Sequence, residues 1–185
     1  FLNQDFYYPK YSRSYNKYFR SSGKIMQAYL NNYNLLSKDV FKKDIKYYVD
    51  VGANIGYLTL FYKNYLNNNV QIICFEPHPI NYYYLKLNLE SYKNIKLFNF
   101  GLGSANKEDY ISIPNFESHR KSNFGLMTIG GKSNYFREKI NIKRFDNLNF
   151  DFKEEDVIFV KIDVEGYEYN TLLGMLNFLK KYNNI

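Results

Sequence analysis

The sequence has no tryptophan, a single cysteine and two histidines, and each scarcity closes off a class of explanation. One cysteine cannot make an intramolecular disulfide, so the fold is not a disulfide scaffold. Cys74 lies in the apolar run Gln71-Ile72-Ile73-Cys74-Phe75, where it reads as a core residue suited to a reducing compartment, and a cytoplasmic location is expected. Paired His or Cys spacings of the kind used by metal centres are missing, so no metal site is expected. No apolar stretch approaches the length of a membrane span. The N-terminus begins at Phe1 and lacks the short apolar core of a signal peptide. Internal repeats and low-complexity linkers are absent as well.

What is present fits one soluble domain. The chain has 185 residues, 45% hydrophobic and 23% charged, enough for a single α/β core and short for two. The 21 Tyr and 16 Phe are spread over strands, helices and loops alike, a pattern better explained by base composition than by function. The net charge of +7 permits anionic partners without choosing among them. Lys10, Arg13, Lys17, Arg20 and Lys24 alternate with Tyr7, Tyr8, Tyr11, Tyr15 and Tyr18, a composition that suits stacking on single-stranded nucleic acid. It suits a solvated amphipathic cover better, and nucleic acid is not the expected partner.

Periodicity divides the chain into a helical, aromatic cap segment over residues 1–44 and an α/β domain over 45–185. Tyr47 to Val51 reads as a buried parallel strand, and Tyr57, Leu58, Phe61, Tyr62 and Tyr65 recur at helical spacing until Asn67-Asn68-Asn69. A second strand is expected over Val70 to Phe75, then a helix with Tyr82, Leu85 and Leu89 on one face, then a third strand over Ile95 to Phe100. Residues Tyr110 to Ile142 alternate in short pieces around Asn123 to Gly131, as an inserted hairpin and loop would. A fourth parallel strand over Val157 to Ile162 precedes a last helix holding Leu172, Leu176 and Leu179. Repeated strand-helix units imply right-handed crossovers, which bring the carboxyl ends of the strands to one edge.

Three motifs sit at that edge. Asp50-Val51-Gly52-Ala53-Asn54-Ile55-Gly56 joins the first strand to its helix, with glycines that let the backbone turn tightly and come close to a ligand. It departs from G-x-G-x-x-G at Asn54 and Tyr57, which disfavours a pyrophosphate-binding oxidoreductase. Glu76 ends the second strand, where a carboxylate can accept both hydroxyl protons of a ribose. Lys161-Ile162-Asp163-Val164-Glu165-Gly166-Tyr167-Glu168 brings acids to the end of the fourth strand. Asp163 or Glu165 there can orient a nucleophile, take a proton or bind a cation, while Glu168 fits helix capping. His78 and His119 are rival bases by their ordinary pKa; His78 reads as a turn residue near an adenosine and His119 as a surface loop residue.

The Asp50 to Gly56 turn, the Phe75-Glu76-Pro77 strand end and the Lys161 to Glu168 box, in this order, resemble the FkbM family of S-adenosylmethionine-dependent methyltransferases. The likeness runs from about Tyr47 to Leu179 and includes Arg144-Phe145-Asp146-Asn147-Leu148. It implies a three-layer, Rossmann-like sandwich with a mostly parallel sheet, S-adenosylmethionine as cofactor, and O-methylation of a hydroxyl on a small molecule or sugar. By the same resemblance Asp50, Gly52, Asn54 and Gly56 line the methionine end, Glu76 holds the ribose, Gly101 and Leu102 lie near the adenine, and Asp163 and Glu165 face the reacting centre. Such a sheet ordinarily has further strands, so the chain, ending at Ile185, is expected to be truncated after the fourth parallel strand and its helix, with that strand's outer edge unpaired. The alternative reading is a non-catalytic nucleoside- or nucleic-acid-binding module. No Asn-Pro-Pro-aromatic motif supports amino methylation of a base. The acceptor and the oligomeric state are not legible.

Overall fold

The computed structural model describes residues 6–7, 43–113, 129 and 136–185. Most of the proposed cap segment, most of the loop over 123–131, and His119 lie outside the described residues. The described part is mixed α/β, as expected. Four strands, β1 (Ile45–Val51), β2 (Gln71–Phe75), β3 (Ile95–Phe98) and a later strand, β7 (Val157–Ile162), form an all-parallel sheet in the order β3-β2-β1-β7. Helices α1 (Tyr57–Lys63) and α2 (Pro79–Leu89) make the first two crossovers. Between β3 and β7 come β4 (Gly101–Leu102), β5 (Lys107–Ile113) and β6 (Phe136–Lys143), a second sheet in which β5 and β6 pair antiparallel and β4 joins β6 in parallel. The expected hairpin is therefore present. Helices α3 (Glu168–Gly174) and α4 (Leu176–Lys181) close the described chain.

Strand runs that look uniformly apolar divide by alternation between two faces. Tyr48, Ile72 and Cys74 face Leu60, Phe61, Leu85 and Leu89 of α1 and α2. Val49, Val51, Ile73 and Phe75 face an aromatic layer with Phe145, Met175, Phe178 and Tyr182. A third, smaller cluster joins Ile111, Ile140 and Ile142 of the second sheet to Ile55, so the hairpin sits against the glycine turn.

Three expectations need correction. The third strand stops at Phe98 because Asn99 turns its side-chain amide onto the carbonyls of Glu76 and Pro77, at 2.9 and 3.3 Å, and Gly101–Leu102 then pairs with β6. The last helix is two short ones: Leu172 and Leu176 are exposed and Leu179 packs partly buried against the aromatic layer, whereas Thr171, Met175, Phe178 and Tyr182 are buried. Gly174 decides this. A Cβ there would stand 2.0 Å from the Gly103 carbonyl oxygen, so the bare backbone lies directly on the β4 end and aims the Thr171-Met175-Phe178 stripe inward. Third, the outer edge of β7 is not wholly unpaired, since the Ile158 N–H donates to the Asn184 carbonyl at 2.8 Å.

Asp146 anchors α4 to the body. Its Oδ1 accepts from Phe178 N at 3.0 Å and its Oδ2 from Asn177 N at 3.2 Å, while Arg144 donates to Oδ2 at 2.9 Å and to the Ser104 carbonyl at 2.9 Å. The carboxylate thus occupies the helix start, where N–H groups lack intrahelical partners. Asp146→Ala is expected to cost about 1–3 kcal/mol of unfolding free energy, from the lost helix-start acceptor and the lost ion pair with Arg144. Urea denaturation would measure it, and a loss near zero would mean that α4 docks through its aromatic face alone.

Candidate cofactor and methyl-transfer site

Strand β1 ends in a turn whose backbone needs residues tolerant of positive φ. Gly52, Asn54 and Gly56 have φ of 78°, 54° and 86°. Asn54 stands where a dinucleotide fingerprint would place glycine, and it fits because asparagine is among the few side chains at ease in the left-handed region. Its Oδ1 also accepts from the Ile55 N–H at 2.8 Å. Gly52 is glycine for a reason other than ligand approach: a Cβ would lie 2.0 Å from the Asp163 carbonyl oxygen. The turn after β1 therefore packs backbone to backbone on the loop after β7, and Asp163 N donates to Val51 O at 3.0 Å. At Gly56 a Cβ would meet Leu85 and Leu89 of α2.

Glu76 links this turn to the one after β2. The Asn54 N–H donates to its Oε2 at 2.8 Å and the His78 N–H to its Oε1 at 2.9 Å. The carboxyl is 5% exposed, and burial pushes its pKa up to about 7 against the lowering effect of those N–H donors and of Lys161. Because the folded pKa lies above the ordinary 4.5, the contribution to stability is complete below about pH 4.5 and is lost as pH rises through about 7. A carboxylate has about four acceptor positions, so the two N–H bonds leave capacity for a pair of hydroxyls. Those acceptor positions fit the hydroxyls of a nucleoside cofactor's ribose.

Asp50 does not reach outward. It is fully buried, with Oδ2 accepting from Thr59 Oγ1 at 2.7 Å and Oδ1 from Lys161 Nζ at 3.0 Å. Its influence on a ligand passes through the turn above it. Gly101 lies against Pro77, beside Glu76, whereas Leu102 is buried in the aromatic layer and its carbonyl accepts from Thr171 Oγ1. Of the two residues expected near an adenine, Gly101 thus adjoins the turn that carries Glu76, and Leu102 packs into the core.

Beyond β7, Asp163 and Glu165 are exposed, while the Lys161 side chain, within the strand, is nearly covered. Glu165 has a φ of 49°, a conformation uncommon outside glycine and asparagine, and Gly166 continues it at 91°. Glu168 Oε1 accepts from Val164 N at 3.3 Å and Gly166 N at 3.2 Å, so this carboxylate, expected to cap the helix, instead ties down the loop ahead of it. Its own backbone N–H first, and then those of Gly166 and Val164, hold the Glu168 carboxyl below its usual range against the raising effect of burial. Partial burial, and then the charges of Asp163 and Glu168, push Glu165 up.

The structure retires His78 as a base. Its ring is buried, Nδ1 accepts from Asn81 N at 3.3 Å as the cap of α2, Nε2 has no hydrogen-bond partner, and burial lowers its pKa to about 4. The residue that the motif reading left without a role is Lys161. A lysine in an otherwise apolar strand was its available signal, because such a charge needs a partner, and the β1–β7 register sets it directly opposite Asp50.

With this edge assembled, the family model of the methyltransferase FkbM domain matches residues 50–185. The chain belongs to the FkbM methyltransferase family. No curated protein and no solved structure matches it significantly. The matched span opens on Asp50 and takes in Glu76 and the Asp163 loop, so the motifs that carry the resemblance all lie within this FkbM domain. No helix among the described residues is long and apolar enough to cross a membrane, and none of those residues group as three or more potential metal-ligating side chains.

Proposed function

We propose that this FkbM domain transfers a methyl group from S-adenosylmethionine to a hydroxyl of a small molecule or sugar. The observation that carries the reading is the buried Glu76 carboxylate at the junction of two turns, with the exposed Asp163 and Glu165 carboxylates on the adjoining loop. Glu76 accepts the ribose hydroxyls, the Gly52 to Gly56 turn and Gly101 flank the nucleoside, and Asp50 holds the turn from beneath. S-adenosylmethionine supplies an electrophilic methyl on a sulfonium whose positive charge disappears in transfer. The protein then has two tasks, to align the acceptor oxygen and to take its proton. Asp163 orients the hydroxyl, and Glu165, whose pKa is raised, takes part as a proton acceptor stronger than an ordinary carboxylate.

Calorimetric titration with S-adenosylhomocysteine tests the cofactor half. Saturable binding is expected, and Glu76→Ala should weaken it by about 1.5–3 kcal/mol, the worth of hydrogen bonds to a charged acceptor. Affinity should also depend on pH. Diol binding favours the ionised carboxylate, so below about pH 7 the affinity should fall by roughly tenfold per pH unit, and the variant should show no such slope. A folded wild-type chain that binds no S-adenosylhomocysteine would overturn the cofactor assignment.

A further inference from the structure

Lys161 brings a nearly covered charge into β7, the edge strand of the parallel sheet, and the chemistry above makes no use of it. Its ammonium reaches Asp50 Oδ1 at 3.0 Å, the Gly52 carbonyl at 3.1 Å and Asp163 Oδ2 at 3.8 Å, with the side chain 9% exposed. An ammonium has three donors and no acceptor. A counter-ion for Asp50 would need only the first of these contacts. The other two go to different loops: Gly52 opens the turn after β1, and Asp163 opens the loop after β7. These loops already touch where Gly52 lacks a Cβ against the Asp163 carbonyl, but that contact fixes backbone only and leaves the Asp163 side chain half exposed.

We infer that Lys161 is a positioning residue that joins the glycine turn to Asp163, so that the cofactor-holding and acceptor-holding loops keep one fixed spacing. Its meaning for methyl transfer rests on the function proposed above; the joining of the loops does not. The lysine acts on the carbonyl of one loop and the carboxylate of the other. It neither accepts the acceptor proton nor touches the methyl group.

Amide hydrogen exchange by NMR on the full chain tests this, with Asn54 and Gly56 reporting one loop, Val164 and Gly166 the other, and Ile73 and Leu85 as core controls. Wild type, Lys161→Met, Asp50→Asn and the Asp50→Asn/Lys161→Met double variant are compared, and each is titrated with S-adenosylhomocysteine. Lys161→Met should speed exchange about tenfold in both loops with the controls within about twofold, and should weaken ligand affinity by a similar factor. Should Lys161→Met loosen the whole fold by stranding Asp50, the double variant decides, because it buries no lone charge. Faster exchange at Val164 and Gly166 in the double variant than in Asp50→Asn supports positioning. Equal exchange in those two proteins means that Lys161 is only a counter-ion, and the inference falls. A wild-type chain that binds no S-adenosylhomocysteine overturns the cofactor assignment, while the exchange comparison still decides the role of Lys161.

Discussion

Asp163→Asn is expected to slow methyl transfer by about 100-fold or more while leaving the affinity for S-adenosylhomocysteine within about twofold. The magnitude is that of losing the charged group that orients the acceptor hydroxyl toward the methyl and toward Glu165, its proton acceptor. The selectivity follows from location. Asp163 lies on the loop after β7, exposed and bonded neither to Glu76 nor to Asn54, so its charge is not among the contacts that would hold a nucleoside. The readout is transfer of labelled methyl from S-adenosylmethionine to a hydroxyl-bearing acceptor, measured in single turnover so that product release does not intrude. The pH profile adds an independent sign. Transfer should rise with pH as Glu165 ionises, and because the Asp163 charge helps to push Glu165 up, the substitution should move that rising limb to lower pH. Full turnover with an unmoved limb would take both acids out of the mechanism.

Phe145→Ala is expected to be the most damaging of the single core truncations, at about 3–5 kcal/mol, equivalent to roughly a 10 °C fall in Tm for a domain of this size. Phe145 is 2% exposed and sits at the centre of the aromatic layer. Its ring centroid is 4.7 Å from that of Phe178, 5.5 Å from Phe150, 6.0 Å from Phe75 and 6.3 Å from Phe152. These partners come from β2, α4 and the segment leading to β7, so removing one ring opens a space that no single element can collapse to fill. Chemical denaturation measures it directly. A loss below about 1 kcal/mol would show that the layer repacks, and Phe145→Leu, which keeps most of the apolar volume, should lose clearly less in either case. Asp146, the next residue, acts on the same helix by polar contacts, so the two substitutions are close enough to couple and their effects should not simply add.

Much of the candidate site was legible because it is made of local rules. A strand closing on Gly52, Asn54 and Gly56 has to turn sharply, and the positive φ at all three is what those residue types permit. Glu76 at the end of a strand has to emerge at the carboxyl edge of a parallel sheet. Other features were not legible, because side chains from distant segments decide them. His78 has the ordinary pKa of a base but reads as a turn residue, and the fold gives the reason: tertiary packing buries its ring and lowers its pKa, and its Nδ1 is spent on capping α2. Which face of the last helices lies down is set by Gly174 against the Gly103 carbonyl, a contact with no hydrophobic signal in the sequence.

The sequence by itself determined the parallel strand-helix alternation, the turn after β1, the acid at the end of β2 and the acids after β7, since each follows from periodicity, backbone tolerance or motif order within a short window. Tertiary structure alone decided that Asp50 lies beneath the turn rather than in it, that Gly52 is bare for the Asp163 carbonyl, that Leu102 faces the core, and that Lys161 reaches both loops. The physical reason is sequence distance. Residues 50 and 161 become neighbours only when β1 and β7 pair, and a buried charge, a missing Cβ or a shared hydrogen-bond acceptor acquires its meaning from what the folded chain places against it.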